Sequence, residues 1–197
     1  MIAFRRLAYA DHEAEMLPGD LLLYRATAAD GLVDVEIARF GRSPWCHAAM
    51  VASDPMNPRR LLLLEMIQFH GGRCRSLLEA VRENPGHWDH FRANRAYRWH
   101  FNRGAAVARM QKFVGRPYGW HDLLRDAALH LPLVRAFTPA QVADTETYGH
   151  TPYCSEAVDI ATRAGGVDPV PFLPGELTEP GDLARSLFFE YQGTLVP

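Results

Sequence analysis

Residues 45–67 read WCHAAMVASDPMNPRRLLLLEMI, with two apolar runs on either side of a stretch of turn-forming residues. The first run, WCHAAMVAS, carries His47, and the second, RRLLLLEMI, carries Glu65. Between them, DPMNP combines two prolines with an aspartate and an asparagine, which favours a turn. The segment therefore predicts a β-hairpin with two largely buried strands.

The position of the turn decides how the two polar residues of this hairpin meet. If the turn is centred near Met56, opposed residues have numbers that sum to about 112, so that His47 faces Glu65 directly. Cβ atoms of directly opposed residues lie roughly 4.5 to 5.5 Å apart, which lets a carboxylate bond an imidazole N–H. A slip of one residue would separate them onto opposite faces, so a solvated Glu65 and a packed His47 remain the alternative.

Residues 151–166 read TPYCSEAVDIATRAGG and carry the start and stop signals of a helix. Thr151 is the expected N-cap, Pro152 suits the first helical position, and Gly165-Gly166 ends the run. Cys154 then lies in the first turn, where unpaired N–H groups and the helix dipole favour a thiolate. The helical repeat puts it on one face with Ala157, Val158 and Ala161. A buried, unreactive cysteine is the alternative interpretation.

Taken together, a thiol, an imidazole and a carboxylate are the groups that nucleophilic acyl transfer needs. A free thiol has a pKa of about 8.5, and a helix start with an adjacent imidazolium lowers it by several units. The thiolate attacks an acyl carbon, and the imidazolium protonates the leaving group. The backbone N–H of Cys154 is expected to stabilise the oxyanion.

The rest of the chain alternates short strand patterns with helical ones. We expect further strands in GDLLLYR, GGRCRSLL and RAYRWHF, helices in LVDVEIARFG and near 103–114 and 121–131, and a last short element in LARSLFFEYQG. A sheet-rich first half and a helix-rich second half are typical of an α+β fold. The length favours a single domain over residues 1–197.

Composition narrows the class of protein. The chain has 197 residues, is 48% hydrophobic and 22% charged, and carries a net charge of -2. Lys112 is the single lysine, so no polybasic surface for nucleic acid is expected. The start lacks an apolar signal region and no run is long enough to cross a bilayer, which predicts a cytoplasmic protein without stable membrane insertion. Three cysteines, an odd number, argue against a disulfide framework.

The segment HGGRC is a candidate metal site. It places His70 four residues before Cys74, and Cys46 with His47 could complete a set of four ligands. Adjacent ligands and a Gly-Gly spacing match no standard zinc pattern. We therefore predict neither a metal nor another cofactor.

Several short motifs, in order, carry a family resemblance. They are PGDLLLY, IARFGRSPWCHAAMV, LLLLEMI, VGRPYGW, YCSEAV and TEPGDLARS, and they run through nearly the whole chain. In this order the sequence resembles the circularly permuted papain-like hydrolases of the NlpC superfamily, the YiiX/YebB-like permuted papain-like amidases. It departs from the family pattern at Cys46, where a small polar residue is common, and at Gly119, where an aspartate often follows the tyrosine.

The resemblance implies a fold, a set of site residues and an activity. The fold would be a small antiparallel sheet or half-barrel packed against the nucleophile helix. Cys154 would be the nucleophile, His47 the base and Glu65 the third residue, with Tyr118 and Tyr153 as candidate substrate contacts. The expected activity is an amidase or peptidase acting on a small peptide, with cell-wall peptides as the suggested substrate.

Two alternatives stay open at this point. The same three residues would serve a thioesterase or acyltransferase that handles a lipid acyl group. A non-catalytic binding or assembly module could also retain the fold. An apolar tunnel near Cys154 would favour the lipid substrate, whereas a polar groove with an arginine would favour a peptide.

Overall fold

The computed structural model describes residues 5–27, 38, 42–97, 99–119, 151–171 and 173–197. Within these residues, seven strands form one mixed sheet with the order β1-β7-β6-β2-β3-β4-β5. The strands are β1 Arg6–Ala8, β2 Leu21–Arg25, β3 Trp45–Ser53, β4 Leu61–Ile67, β5 Gly71–Ser76, β6 Trp88–Ala93 and β7 Phe189–Val196. Neighbouring strands are antiparallel except for β1 and β7, which are parallel.

Five α-helices and three 3-10 turns accompany the sheet in the part of the chain that the structure describes. The α-helices are α1 Tyr9–His12, α2 Leu77–Glu83, α3 Arg103–Gln111, α4 Cys154–Ala164 and α5 Pro180–Arg185. The 3-10 turns are Glu13–Glu15, Arg95–Tyr97 and Gly175–Leu177. The α+β class predicted from the sequence is confirmed, but the sheet is larger than the small antiparallel one expected and has a parallel edge strand.

Helices cover both faces of the sheet. On one face, α3, α4 and α5 pack against Ala48 and Met50 of β3. On the other face, α1 and α2 pack in a second cluster with Ala49 and Val51. Because alternate residues of β3 enter different cores, the strand reads as a continuous apolar run rather than an alternating one.

The predicted hairpin of β3 and β4 forms, but in a different register. Ala49, not His47, lies directly opposite Glu65. The turn centres near Asn57, with the Arg60 N–H donating to the Asn57 carbonyl over 2.8 Å, and a shift of one residue in the turn moves the pairing by two. Because side chains alternate with a period of two, His47 and Glu65 still share a face.

The strand predicted for RAYRWHF is wrong. Residues Arg95–Tyr97 form a 3-10 turn, and the Phe101 N–H donates to the Tyr97 carbonyl over 3.1 Å, which is a helical pattern. The Phe101 ring packs on Phe188 at a centroid distance of 4.9 Å, whereas Trp99 is 79% exposed. The alternating aromatic residues therefore do not share one face, and the neighbouring strand β6 lies just before them.

The other elements follow the sequence patterns more closely. GDLLLYR contains β2, and the helix expected near 103–114 is α3. The strand expected in GGRCRSLL is β5, but it ends at Ser76 because α2 begins at Leu77. LARSLFFEYQG divides between the end of α5 and most of β7. The helix expected near 121–131 lies outside the described residues, as does all but Ala38 of the one expected in LVDVEIARFG.

Candidate functional site

The site lies where β3 and β4 separate. Their ladder stops at the pair Ala49 and Glu65, while β4 continues to Ile67 against β5. The first residues of β3 are thus left without a β4 partner, and the start of α4 reaches this edge. The backbone N–H of Ala48, on this edge, donates to the sulfur of Cys154.

Helix α4 begins at Cys154 itself. The N-cap is Tyr153, not Thr151 as the sequence predicted, and Pro152 precedes the helix. The Tyr153 N–H donates to Glu156 Oε2 over 3.3 Å, so an acidic side chain from the first turn caps the helix from within. Cys154 is 3% exposed, and the predicted inward face of Ala157, Val158 and Ala161 is confirmed because all three are fully buried.

His47 connects Cys154 to Glu65. Its Nε2 donates to Glu65 Oε2 over 2.8 Å, a contact between diagonal neighbours on one face of the hairpin. Because Nε2 is committed to the carboxylate, Nδ1 is the ring nitrogen left for the hydrogen bond between His47 and the Cys154 sulfur. The structure therefore brings the three predicted residues together in the order thiol, imidazole, carboxylate.

Two arginines hold Glu65 from the other side. Arg73 stands directly opposite it in the β4–β5 ladder, and its Nε donates to Glu65 Oε1 over 2.8 Å. Arg75 brings its Nε to 3.2 Å from the same oxygen. Glu65 is only 2% exposed, so these cations offset the cost of burying its charge. The sequence pattern does not single out this pair, although an Arg-X-Arg spacing on a strand puts two cations on one face.

Charge coupling in the site favours ionised groups. Burial lowers the pKa of His47, but the Cys154 sulfur and the Glu65 carboxylate outweigh it and raise that pKa to about 10. Burial raises the pKa of Glu65, but His47 and the two arginines bring it down to about 2. For Cys154, the hydrogen bonds from His47 and from the Ala48 and Ser155 N–H groups outweigh burial and lower the thiol pKa. The arrangement thus favours a thiolate beside an imidazolium at neutral pH.

A cavity of about 590 Å³ opens onto these residues. Tyr24, Trp88 and Tyr118 contribute aromatic rings to its lining, and Arg73 and Arg75 contribute cations. Tyr118 therefore lies in the cavity wall, and its predicted contact with a substrate stays a prediction. Tyr153 does not belong to this lining, because its hydroxyl donates to the Glu176 carbonyl over 2.9 Å, and its contact with a substrate stays a prediction.

A second polar cluster lies elsewhere, at the beginning of β2. His90 is fully buried, and its Nε2 donates to Asp20 Oδ2 over 3.0 Å. Its Nδ1 is 2.9 Å from Nε2 of His12, and Arg103 Nη1 donates to Asp20 Oδ1 over 2.7 Å. No partner for His90 is evident from the sequence, because the residues of this cluster are far apart along the chain.

Comparisons with known proteins bear on the fold. No family model matches the sequence, and no curated protein matches it significantly. The structure is similar to the crystal structure of the metalloprotein yiiX from Escherichia coli O157:H7, with a TM-score of 0.59 and 12% identity, over 91% of this chain and 98% of that one. This similarity supports a yiiX-like fold, and the permuted papain-like assignment stays a prediction.

Among the described residues, none of the helices combines the length and the apolar character that crossing a membrane requires.

Proposed function

We propose that this protein is a cysteine hydrolase of the permuted papain-like type, in which Cys154, His47 and Glu65 cleave an amide bond through an acyl-enzyme. The observation that carries the proposal is the 2.8 Å bond from His47 Nε2 to Glu65, with the other ring nitrogen at a buried helix-start thiol. A cavity large enough for a small substrate reaches all three side chains. The yiiX-like fold supports the proposal at the level of architecture only.

In the proposed reaction the Cys154 thiolate attacks the acyl carbon and forms a covalent bond to it. The Cys154 backbone N–H, at the start of α4, donates to the developing oxyanion. The His47 imidazolium transfers its proton to the leaving amine, and the neutral ring then takes a proton from the water that releases the acid. Glu65 stays ionised throughout and holds the ring orientation.

The description of yiiX as a metalloprotein does not carry over to these residues. In the parts of the chain that the structure describes, no group of three His, Cys, Asp or Glu side chains is placed to hold a metal ion. Glu65, the carboxylate of the site, already pairs with two guanidinium groups that would repel a divalent cation. No step of the proposed reaction passes through a metal.

A thioesterase or acyltransferase acting on a lipid acyl group is the second candidate. The aromatic rings of Tyr24, Trp88 and Tyr118 in the cavity lining favour it, because they would pack against an acyl chain. The arginines in the same lining favour the peptide substrate. Both reactions use the same nucleophile, so testing the thiol comes first.

The test is the pH dependence of alkylation by iodoacetamide, resolved by residue with mass spectrometry. Cys154 is expected to react well below pH 8, because its hydrogen bonds favour the thiolate. Cys74 is an internal control. The residue is exposed and open to the reagent, but partial burial raises the pKa of its thiol. In His47→Ala, labelling of Cys154 should require a higher pH while Cys74 stays unchanged.

Substrate turnover completes the test. Cys154→Ala should abolish hydrolysis of peptide and acyl substrates while the thermal unfolding midpoint changes little, because a small residue replaces another at the helix start. An ordinary thiol profile at Cys154, the same in both backgrounds, would contradict the proposal and favour the non-catalytic binding module.

A further inference from the structure

Arg73 has hydrogen-bonding capacity that the fold does not use. Its Nε donates to Glu65, and in the part of the chain that the structure describes neither of its Nη groups has a protein partner. A guanidinium carries five N–H donors, so four of them stay available. The side chain is 35% exposed and lines the cavity that contains Cys154.

The neighbouring Arg75 differs in this respect. Its Nε approaches Glu65, and its Nη1 pairs with Glu83, so its charge is shared between two carboxylates. Among the residues that the structure describes, Arg73 pairs with Glu65 alone. Of these two cations in the cavity, Arg73 is therefore the one whose positive charge is less fully balanced by carboxylates.

The contact with Glu65 also fixes the orientation of the Arg73 guanidinium. A fork held at Nε keeps its two Nη groups in one plane, which matches the two oxygens of a carboxylate or a phosphate. Because the group is already ordered, a ligand would lose little affinity to immobilising this side chain.

We propose that Arg73 binds an anionic group of the substrate, a carboxylate or a phosphate, through its Nη atoms, so that the acyl donor is an anion. The proposal rests on the proposed function in one respect, that Cys154 is the atom that attacks this donor. Arg73 and His47 bond the two oxygens of the same carboxylate, Oε1 and Oε2 of Glu65. The anionic group would therefore lie close to the scissile carbonyl in a short substrate.

The test compares two alkylating reagents that differ in charge, iodoacetate and iodoacetamide, at Cys154. Changes in thiolate content affect both reagents equally and cancel in the ratio of their rates. The imidazolium of His47 attracts iodoacetate in every variant with His47 intact, so a change in the ratio isolates the contribution of Arg73.

We expect Arg73→Gln to lower the iodoacetate to iodoacetamide ratio by about fivefold, which is the size of a partly screened charge interaction. Arg73→Lys should restore much of the ratio because it keeps the charge. Arg82→Gln is the matched control: it removes an exposed arginine of α2 that does not line the cavity, and should leave the ratio unchanged.

Two competitors identify the anion. Glutarate and inorganic phosphate are added separately in the iodoacetamide assay. Protection of Cys154 by either one, lost in Arg73→Gln, supports the site and shows whether it prefers a carboxylate or a phosphate. An unchanged ratio in Arg73→Gln, with no protection by either competitor, overturns the proposal. This outcome is separate from failure of the proposed function, which appears as an ordinary thiol pH profile with the neutral reagent.

Discussion

Glu65 contacts three cationic side chains from a buried position, so its charge determines the ionisation of the whole site. Glu65→Gln keeps the shape but removes the charge that stabilises the His47 imidazolium. A charge-assisted hydrogen bond contributes about 1.5 to 3 kcal/mol, which corresponds to about one to two pH units. The pH midpoint of Cys154 alkylation should therefore rise by that amount.

The matched control for this change is Glu79→Gln on α2, an exposed carboxylate that does not line the cavity. It should leave the midpoint where it is. A midpoint that stays fixed in Glu65→Gln as well would show that Glu65 has no part in forming the ion pair.

At the level of single residues, the sequence predicted the three central side chains because their types are chemically distinctive and their local patterns are strong. The pairing of Arg73 and Arg75 with Glu65 is not evident from the sequence, since an arginine on a strand is ordinarily a solvated residue. The pairing of Glu65 with Arg73 depends on the β4–β5 register, which the Gly-rich start of β5 does not make apparent.

Among the elements, β5 depends on close backbone contact with the segment after α3. Gly72 N–H donates to the Arg116 carbonyl, and a Cβ at Gly72 would lie 1.9 Å from the Phe113 carbonyl oxygen. Gly72→Ala must therefore displace backbone, and we expect it to lower the free energy of unfolding by about 1 to 3 kcal/mol. Urea denaturation measures the loss.

Gly115→Ala is a useful comparison within the same segment. A Cβ there meets no atom within 4 Å, but the residue has a φ of 83°. Gly115→Ala should therefore lower the free energy of unfolding only by the backbone strain, about 1 to 2 kcal/mol. If Gly72→Ala proved no more destabilising than Gly115→Ala, the close packing of these two segments would be wrong.

The errors in predicting the elements have specific physical causes. The hairpin register was off by two because residues 54–60 form a longer turn than the Pro-rich centre suggested. The strand β6 was missed because WDHFRA contains buried polar residues, Asp89 and His90, that obscure its pattern. Their partners come from distant segments, and a single sequence does not reveal such pairings.

Over the whole molecule, stability should depend on pH mainly on the acid side. Glu65 has its pKa lowered to about 2, so the stability it contributes above pH 4.5 is lost as the pH falls toward 2. The pKa of Asp20 is lowered in the same direction despite burial, by His90 and Arg103. Burial and the nearby His90 lower the pKa of His12, so stability also falls as the pH drops below 6.5.

The pair of Cys154 and His47 should add little slope to the pH dependence of stability between about pH 6.5 and 8.5. In the unfolded chain the thiol carries the one proton of the pair, and in the folded site the imidazolium carries it, so the proton count is equal. Urea denaturation at pH 4, 7 and 8.5 checks both statements. We expect nearly equal stabilities at the two higher values and a loss of about 1 kcal/mol or more at pH 4. A steep change between pH 7 and 8.5 would argue against the ion pair.

The side chains around the nucleophile alternate in charge from the helix start to the surface: Cys154, His47, Glu65, Arg75 and Glu83. Glu83, the last of them, has a side chain that is 59% exposed to solvent. In addition to its access through the cavity, the buried thiol is therefore coupled electrostatically to the solvent-exposed surface through a row of four neighbours. Neutralising Glu83, or changing the salt concentration around it, would therefore alter the ionisation of the sulfur only weakly. Each charged neighbour along the row reverses the sign of the effect and reduces its size.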